Sequence, residues 1–140
     1  MSLFSHDTKA EALGRVPLFS GLSKKELSQL AKITEDLEVT AGKVLCREGE
    51  TAHEFFVIVE GEVEVTRGGN VIATLGPGEF FGEIGLFEHI PRTATVTAKT
   101  PLRFFVLHSQ AFWTLLDHEP EVQASILRAL AKRVLADSTI

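Results

Sequence analysis

Among its 140 residues the sequence has one cysteine, one methionine, one tryptophan and no tyrosine. The lone Cys46 cannot close an internal disulfide, so a disulfide-stapled fold is excluded. A reducing, cytoplasmic setting is the expectation, with Cys46 read as a half-buried strand residue. No apolar run approaches the roughly 18 residues that would cross a bilayer, and Met1 to Ala10 lacks the apolar stretch of a secretory signal. Acids outnumber bases 19 to 14, for a net charge of −5. The basic stripe of a nucleic-acid-binding surface is therefore missing. The densest basic cluster, Arg128, Lys132 and Arg133, falls near the C-terminal end of an expected helix, where it complements the helix dipole. The five histidines (His6, His53, His89, His108 and His118) show none of the His-x-His spacing that a metal-dependent barrel enzyme needs. No Ser/His/Asp or Cys/His arrangement stands out. The expectation is no catalytic residue, no metal and no cofactor. Repeats, low-complexity segments and linkers are also missing, which predicts one domain over 1–140.

What is present is 44% hydrophobic residues, enough for a sizeable core, arranged in two periodicities. Thr8 to Arg15 predicts a short helix, ended by Gly14 and Pro17. Ser23 opens a better one, with Glu26 completing a capping box and Leu22 and Leu27 at the staple positions. Leu27, Leu30, Ile33 and Leu37 repeat at helical spacing. From about residue 36 short runs bounded by Gly, Pro or charged turns predict strands. These are Leu37 to Thr40, Val44 to Arg47, Phe55 to Glu60, Glu62 to Arg67, Val71 to Leu75, Arg92 to Ala98 and Leu102 to His108. Gly68-Gly69 marks a hairpin. Seven or eight such strands indicate an antiparallel sandwich or jelly roll. Ser109 is read as the N-cap of a helix to about Asp117, and Pro120 as the first turn of a last helix to about Ala136. The apolar stripe of that helix (Val122, Ile126, Leu130, Val134, widened by Leu127, Ala131 and Leu135) is broader than a lone surface helix requires. It must cover the barrel, a ligand or a second subunit. The fold expectation is a mainly β jelly-roll (double-stranded β-helix) barrel over 36–108, with N-terminal helices in 8–35 and two C-terminal helices in 109–137.

One stretch, Phe80 to Val96, concentrates polar chemistry. Gly82 and Gly85 let backbone approach a ligand, and a short turn between Gly82 and Phe87 offers free N–H groups, an anion site by geometry. Arg92, held by Pro91, can give a charge-assisted fork to a phosphate, and Thr93 adds a hydroxyl. Glu83 is a poor phosphate partner but a good acceptor for a sugar hydroxyl. Phosphate beside a ribose hydroxyl means a nucleotide, and the small site favours a single phosphate.

Phe81-Gly82-Glu83-Ile84-Gly85-Leu86, followed nine residues after Glu83 by Arg92-Thr93-Ala94-Thr95-Val96, resembles the phosphate-binding cassette of the cyclic nucleotide-binding domains. The resemblance extends over roughly 14–137, through Pro17-Leu18-Phe19, Gly49-Glu50, the Phe55-to-Val65 hairpin and Gly76-Pro77-Gly78. It implies that Gly82 lines the ribose-phosphate and that Glu83 accepts from the ribose 2′-hydroxyl. The Ile84 and Gly85 amides and Arg92 would take the phosphate oxygens, with Thr93 beside them. Leu86 resembles the cassette residue that moves with ligand, and Phe112 the aromatic hinge of the following helix. The last helix would close over the base, with Ile126, Arg128, Leu130 and Arg133 as candidate lid residues.

The expected ligand is cAMP ahead of cGMP, because threonine at 93 leaves the base ambiguous. The expected activity is a sensor module that signals by moving its C-terminal helices, with no membrane partner, no nucleic acid bound by the chain itself, and a possible homodimer through the last helix. Two alternatives stay open. One is the ligand-sensing part of a longer regulator, since a catabolite-activator-type factor would continue into a DNA-binding domain where this sequence ends at Ile140. The other is a dimerisation module without nucleotide response.

Overall fold

The computed structural model describes Phe4, residues 7–83 and residues 90–135. Two helices and a 3-10 turn come first: α1 (Lys9–Gly14), the turn Pro17–Phe19, and α2 (Lys24–Lys32). Both helices begin with a capping box. Ser23 accepts from the Glu26 amide while Glu26 reaches back to the Ser23 amide, as its sequence predicts. Thr8 and Glu11 do the same for α1, a second box the sequence reading passed over. α2 ends at Lys32, so Leu37 does not continue its apolar face. It lies on β1 (Glu35–Val39) and is 41% exposed.

The strands that follow are β2 (Val44–Cys46), β3 (Glu54–Glu60), β4 (Val63–Arg67), β5 (Asn70–Leu75), β6 (Phe80–Phe81), β7 (Thr95–Ala98) and β8 (Leu102–His108). They form two four-stranded sheets, ordered β1-β8-β3-β6 and β2-β7-β4-β5. Every pairing is antiparallel. This is the expected barrel of two facing sheets with helices at its flank. The β4–β5 hairpin turns at Gly68 and Gly69, whose φ angles of 58° and 82° suit the right-handed twist of a two-residue turn.

β6 is a strand that its two residues are too few to announce. β7 starts later than expected, at Thr95 rather than Arg92. The backbone of Arg92 pairs elsewhere: its N–H donates to the Glu50 carbonyl at 2.8 Å, and its carbonyl accepts from the Gly49 amide at 2.9 Å.

The strands separate two apolar layers. Between the sheets lie Phe56, Ile58, Val63, Val65, Phe81 and Val96, with their neighbours. On the outer face of the first sheet, Phe55, Val57, Phe105 and Leu107 pack against Leu13, Phe19, Leu30 and the C-terminal helices. β3 and β8 are buried on both faces, hence their near-continuous apolar sequences.

α3 (Ser109–His118) buries Phe112, Leu115 and Leu116. Its N-cap is His108, which makes no side-chain cap bond, and Ser109 is the first helical residue rather than the cap. α4 runs Pro120–Leu135. Val122 and Ile126 bury its first half against α3 and the 3-10 turn, while Leu127 is 61% exposed. At the α3–α4 junction the Glu119 and Glu26 carboxyls hydrogen-bond. The bond to Glu26 raises the pKa of Glu119, and the same bond lowers that of Glu26.

The N-terminal segment is tied down by charge. Arg103 on β8, 4% exposed, forks onto both Asp36 oxygens at 3.1 and 2.9 Å and donates to Asp7 at 2.6 Å. Asp7 also pairs with Arg15. The Asp36 hydrogen bonds hold the guanidinium pKa above its ordinary value.

Candidate functional site

Where β6 ends, the chain enters Gly82 at a φ of 79°, a left-handed conformation that glycine adopts without steric cost. A Cβ here would lie 3.0 Å from Arg92 Nη1, 3.0 Å from Phe56 Cδ2 and 3.1 Å from the Glu54 carbonyl oxygen. Glycine is required by space as well as by dihedral.

Glu83 follows and is 1% exposed. Arg92, ten positions after Gly82, is 4% exposed and returns to the same point. Its Nη1 donates to the Gly82 carbonyl at 3.0 Å and its Nη2 to the Glu54 carbonyl at 3.0 Å. The guanidinium lies over the Phe56 ring, 5.8 Å from the centroid. Phe56 in turn stacks on Phe81 at 4.7 Å, with planes 8° apart. Arg92 thus has a rigid aromatic floor, two carbonyl anchors and a pinned backbone.

Its Nε is buried and makes no hydrogen bond among the described residues. Burying a charged donor without a partner is costly. An anion at this mouth would satisfy it, and backbone carbonyls alone do not.

The sequence placed Gly82, Glu83, Arg92 and Thr93 in one site. The structure brings Gly82 and Arg92 into direct contact and buries Glu83 at the same turn. Thr93 is half-buried, and its carbonyl accepts from Arg67 Nε at 2.9 Å. Ile84, Gly85 and Leu86 lie outside the described residues, as do the side chains of Leu130 and Arg133. Phe112 is fully buried and stacks on Phe55 at 5.0 Å. Ile126 sits in the helical core, 3% exposed. Arg128 is exposed on a groove beside Pro17 and Gly78.

Three contributors escaped the sequence reading. The Glu54 carbonyl and the Gly49–Glu50 backbone clamp carry no side-chain signal. Phe56 was visible only as an apolar strand residue. Cys46 also borders the site: burial pushes its thiol up to about 11, and the charges of Arg92, Glu54 and Glu83 all act on it. Among the described residues no group of three or more His, Cys, Asp or Glu side chains could hold a metal ion.

A family profile described as "Cyclic nucleotide-binding domain" matches residues 36–119, more than half of the chain and all eight strands but the first residue of β1. The chain belongs to that family. As a cyclic nucleotide-binding domain it is 40% identical, over 91% of its length, to a cyclic nucleotide-gated potassium channel of Mesorhizobium japonicum, of which it covers 36%. It is 41% identical over 74% of its length to a cAMP-dependent protein kinase regulatory subunit of Yarrowia lipolytica, of which it covers 28%. The domain therefore spans about a third of the length of these curated relatives. Among solved structures, cAMP-bound PfPKA-R superposes with a TM-score of 0.78 at 25% identity, covering 91% of this chain and 45% of that one. Among the described residues no helix is long and apolar enough to cross a membrane.

Proposed function

We propose that this cyclic nucleotide-binding domain is a cAMP sensor with no catalytic activity of its own, working in the cytoplasm and signalling through α3 and α4. The observation that carries the reading is the buried Arg92, anchored to Gly82 and Glu54 but with Nε unpartnered, next to a buried Glu83. A cyclic phosphate supplies the missing acceptor, and charge-assisted bonds of this kind are the strong ones. Glu83 accepts from the ribose 2′-hydroxyl, and the Ile84 and Gly85 amides and Thr93 complete the phosphate cradle. cAMP is preferred to cGMP on the strength of the cAMP-dependent kinase relative and the cAMP-bound neighbour.

The output is a change in how α3 and α4 sit on the barrel, with Leu86 as the cassette residue that moves and Phe112 as the hinge. Nucleotide shifts this equilibrium only by binding one arrangement more tightly. Covering the base falls to α4. Ile126 is held in the core, so a lid role for it requires the helix to leave its seat. Arg128, Leu130 and Arg133 lie further along. The exposed Leu127 is the starting point for a homodimer contact through the same helix.

Titration calorimetry with cAMP and cGMP tests the reading. The parent is expected to bind cAMP more tightly than cGMP. Arg92→Ala is expected to lose about 2–5 kcal/mol of binding, roughly 30- to several-thousand-fold. Binding of both nucleotides by Arg92→Ala at parental affinity would refute the site, and tighter binding of cGMP would reverse the base preference.

A further inference from the structure

Away from the cassette, on the helical side of the molecule, lies a groove of about 770 Å³. One wall is the 3-10 turn, through Pro17 and Leu18. The floor includes Phe80 and the turn at Gly78, where a Cβ would lie 3.1 Å from Pro17 Cδ. The other wall is one face of α4, with Glu121, Ala124, Arg128 and Lys132 in line. The spacing of three, four and four residues puts these four on a single side of the helix.

The charges along that wall are sorted. Arg128 and Lys132 are exposed, one turn apart, and neither makes a hydrogen bond or ion pair among the described residues. Glu121 lies about 10 Å nearer the helix start. In a chain of net charge −5, Arg128 and Lys132 give the groove a positive end beside its apolar floor. The volume falls within the range of small-ligand sites, which are mostly apolar with a few convergent polar groups.

We propose that this groove is a second binding site, for a small amphipathic organic anion. The apolar body would lie on Leu18, Phe80 and Ala124. The anionic head (carboxylate, sulfonate or phosphate) would meet Arg128 and Lys132, and Glu121 repels it from the other end. Because the groove is bounded by the 3-10 turn, the barrel and α4 at once, an occupant fixes α4 relative to the barrel. It would bias the same helix that the nucleotide site moves, through residues of which only Arg128 is also a candidate for the base lid.

The probe is 1-anilinonaphthalene-8-sulfonate, titrated by fluorescence into the full chain. Saturable binding at one site is expected, with displacement by decanoate but not by decyltrimethylammonium. Reversing both charges in Arg128→Glu/Lys132→Glu is expected to weaken binding about fivefold or more. Ala124→Trp, which fills the groove, is expected to weaken it as well. Circular dichroism establishes that each variant is folded. Three results overturn the proposal: no saturable binding, equal affinity in the folded variants, or equal displacement by the cationic and anionic amphiphiles. A probe site lost in Arg92→Ala but untouched by Ala124→Trp would put the probe in the nucleotide site and overturn it too. None of these outcomes depends on whether the cassette binds cAMP.

Discussion

Arg92 Nη1 donates to the carbonyl of Gly82 at 3.0 Å, so the last residue of the loop is fastened to its first. The two ends of the cassette define each other's position. A side chain at position 82 would crowd the Arg92 guanidinium, and the Arg92 backbone is itself clamped to Gly49 and Glu50.

Gly82→Ala is therefore expected to injure both fold and site. The left-handed φ alone costs about 1–2 kcal/mol, and the new methyl meets Arg92, Phe56 and the Glu54 carbonyl at 3.0 to 3.1 Å. Urea unfolding should show a lower midpoint, and cAMP affinity by calorimetry should fall with it. A parental midpoint would mean the turn relaxes freely.

Arg92→Lys keeps the charge but not the fork. One ammonium cannot hold both the Gly82 and Glu54 carbonyls and still meet a phosphate. Loss of one charge-assisted bond, about 1.5–3 kcal/mol, predicts at least roughly tenfold weaker cAMP binding. Equal affinity for the lysine variant would show that charge, and not planar geometry, is what the cassette uses.

Cys46 gives the molecule an alkaline liability. Burial raises its thiol from 9.0 to about 11. Between those values the native state holds a proton that the unfolded chain has lost. Its contribution is thus complete below pH 9 and disappears as pH rises through 11. The loss is on the order of 2–3 kcal/mol. Urea midpoints measured from pH 8 to 11 should fall in the parent, and fall less in Cys46→Ala. Parallel profiles would remove Cys46 as the cause.

Arg103→Gln leaves Asp36 and Asp7 without their shared cation. Breaking a buried pair costs about 3–5 kcal/mol, and Asp36, 27% exposed at its side chain, puts this one near the lower end. The midpoint of urea unfolding should drop accordingly, and Asp7→Asn should recover part of it in the double variant. An unchanged midpoint would reduce the network to a surface feature.

Most of the architecture could be read from residue patterns because each element is strongly marked. Ser23 and Glu26 announce α2, Gly68-Gly69 fixes a hairpin, and the alternation of Val63 and Val65 with Glu62 and Glu64 gives β4 its inner face. β6 was invisible because Phe80 and Phe81 alone carry no period. β7 was overextended because Arg92 has a strand-like neighbourhood, yet its backbone partners come from a loop some forty residues away. Ser109 was a plausible cap by residue type, but capping depends on backbone angles, and the extended residue is His108.

In the site, Glu83 and Arg92 were legible as a charged pair flanked by glycines. Their near-complete burial was not, since it arises from tertiary contacts, which for Arg92 are the Phe56 ring and the Glu54 carbonyl. The Arg103 network was equally out of reach, because Asp7, Asp36 and Arg103 come together only across three separate segments.

The alternation along β3 has a mechanical consequence. Phe55 and Val57 belong to the helical layer, while Phe56 and Ile58 belong to the barrel. One peptide bond separates the ring stacked on Phe112 from the ring beneath Arg92. Sliding β3 by a single residue would turn every one of these side chains to the wrong side, so the strand cannot carry a signal by translation. The two layers therefore meet at adjacent residues of that strand, and under the proposed mechanism a phosphate bound at Arg92 would act on the seat of Phe112 through a tilt of β3.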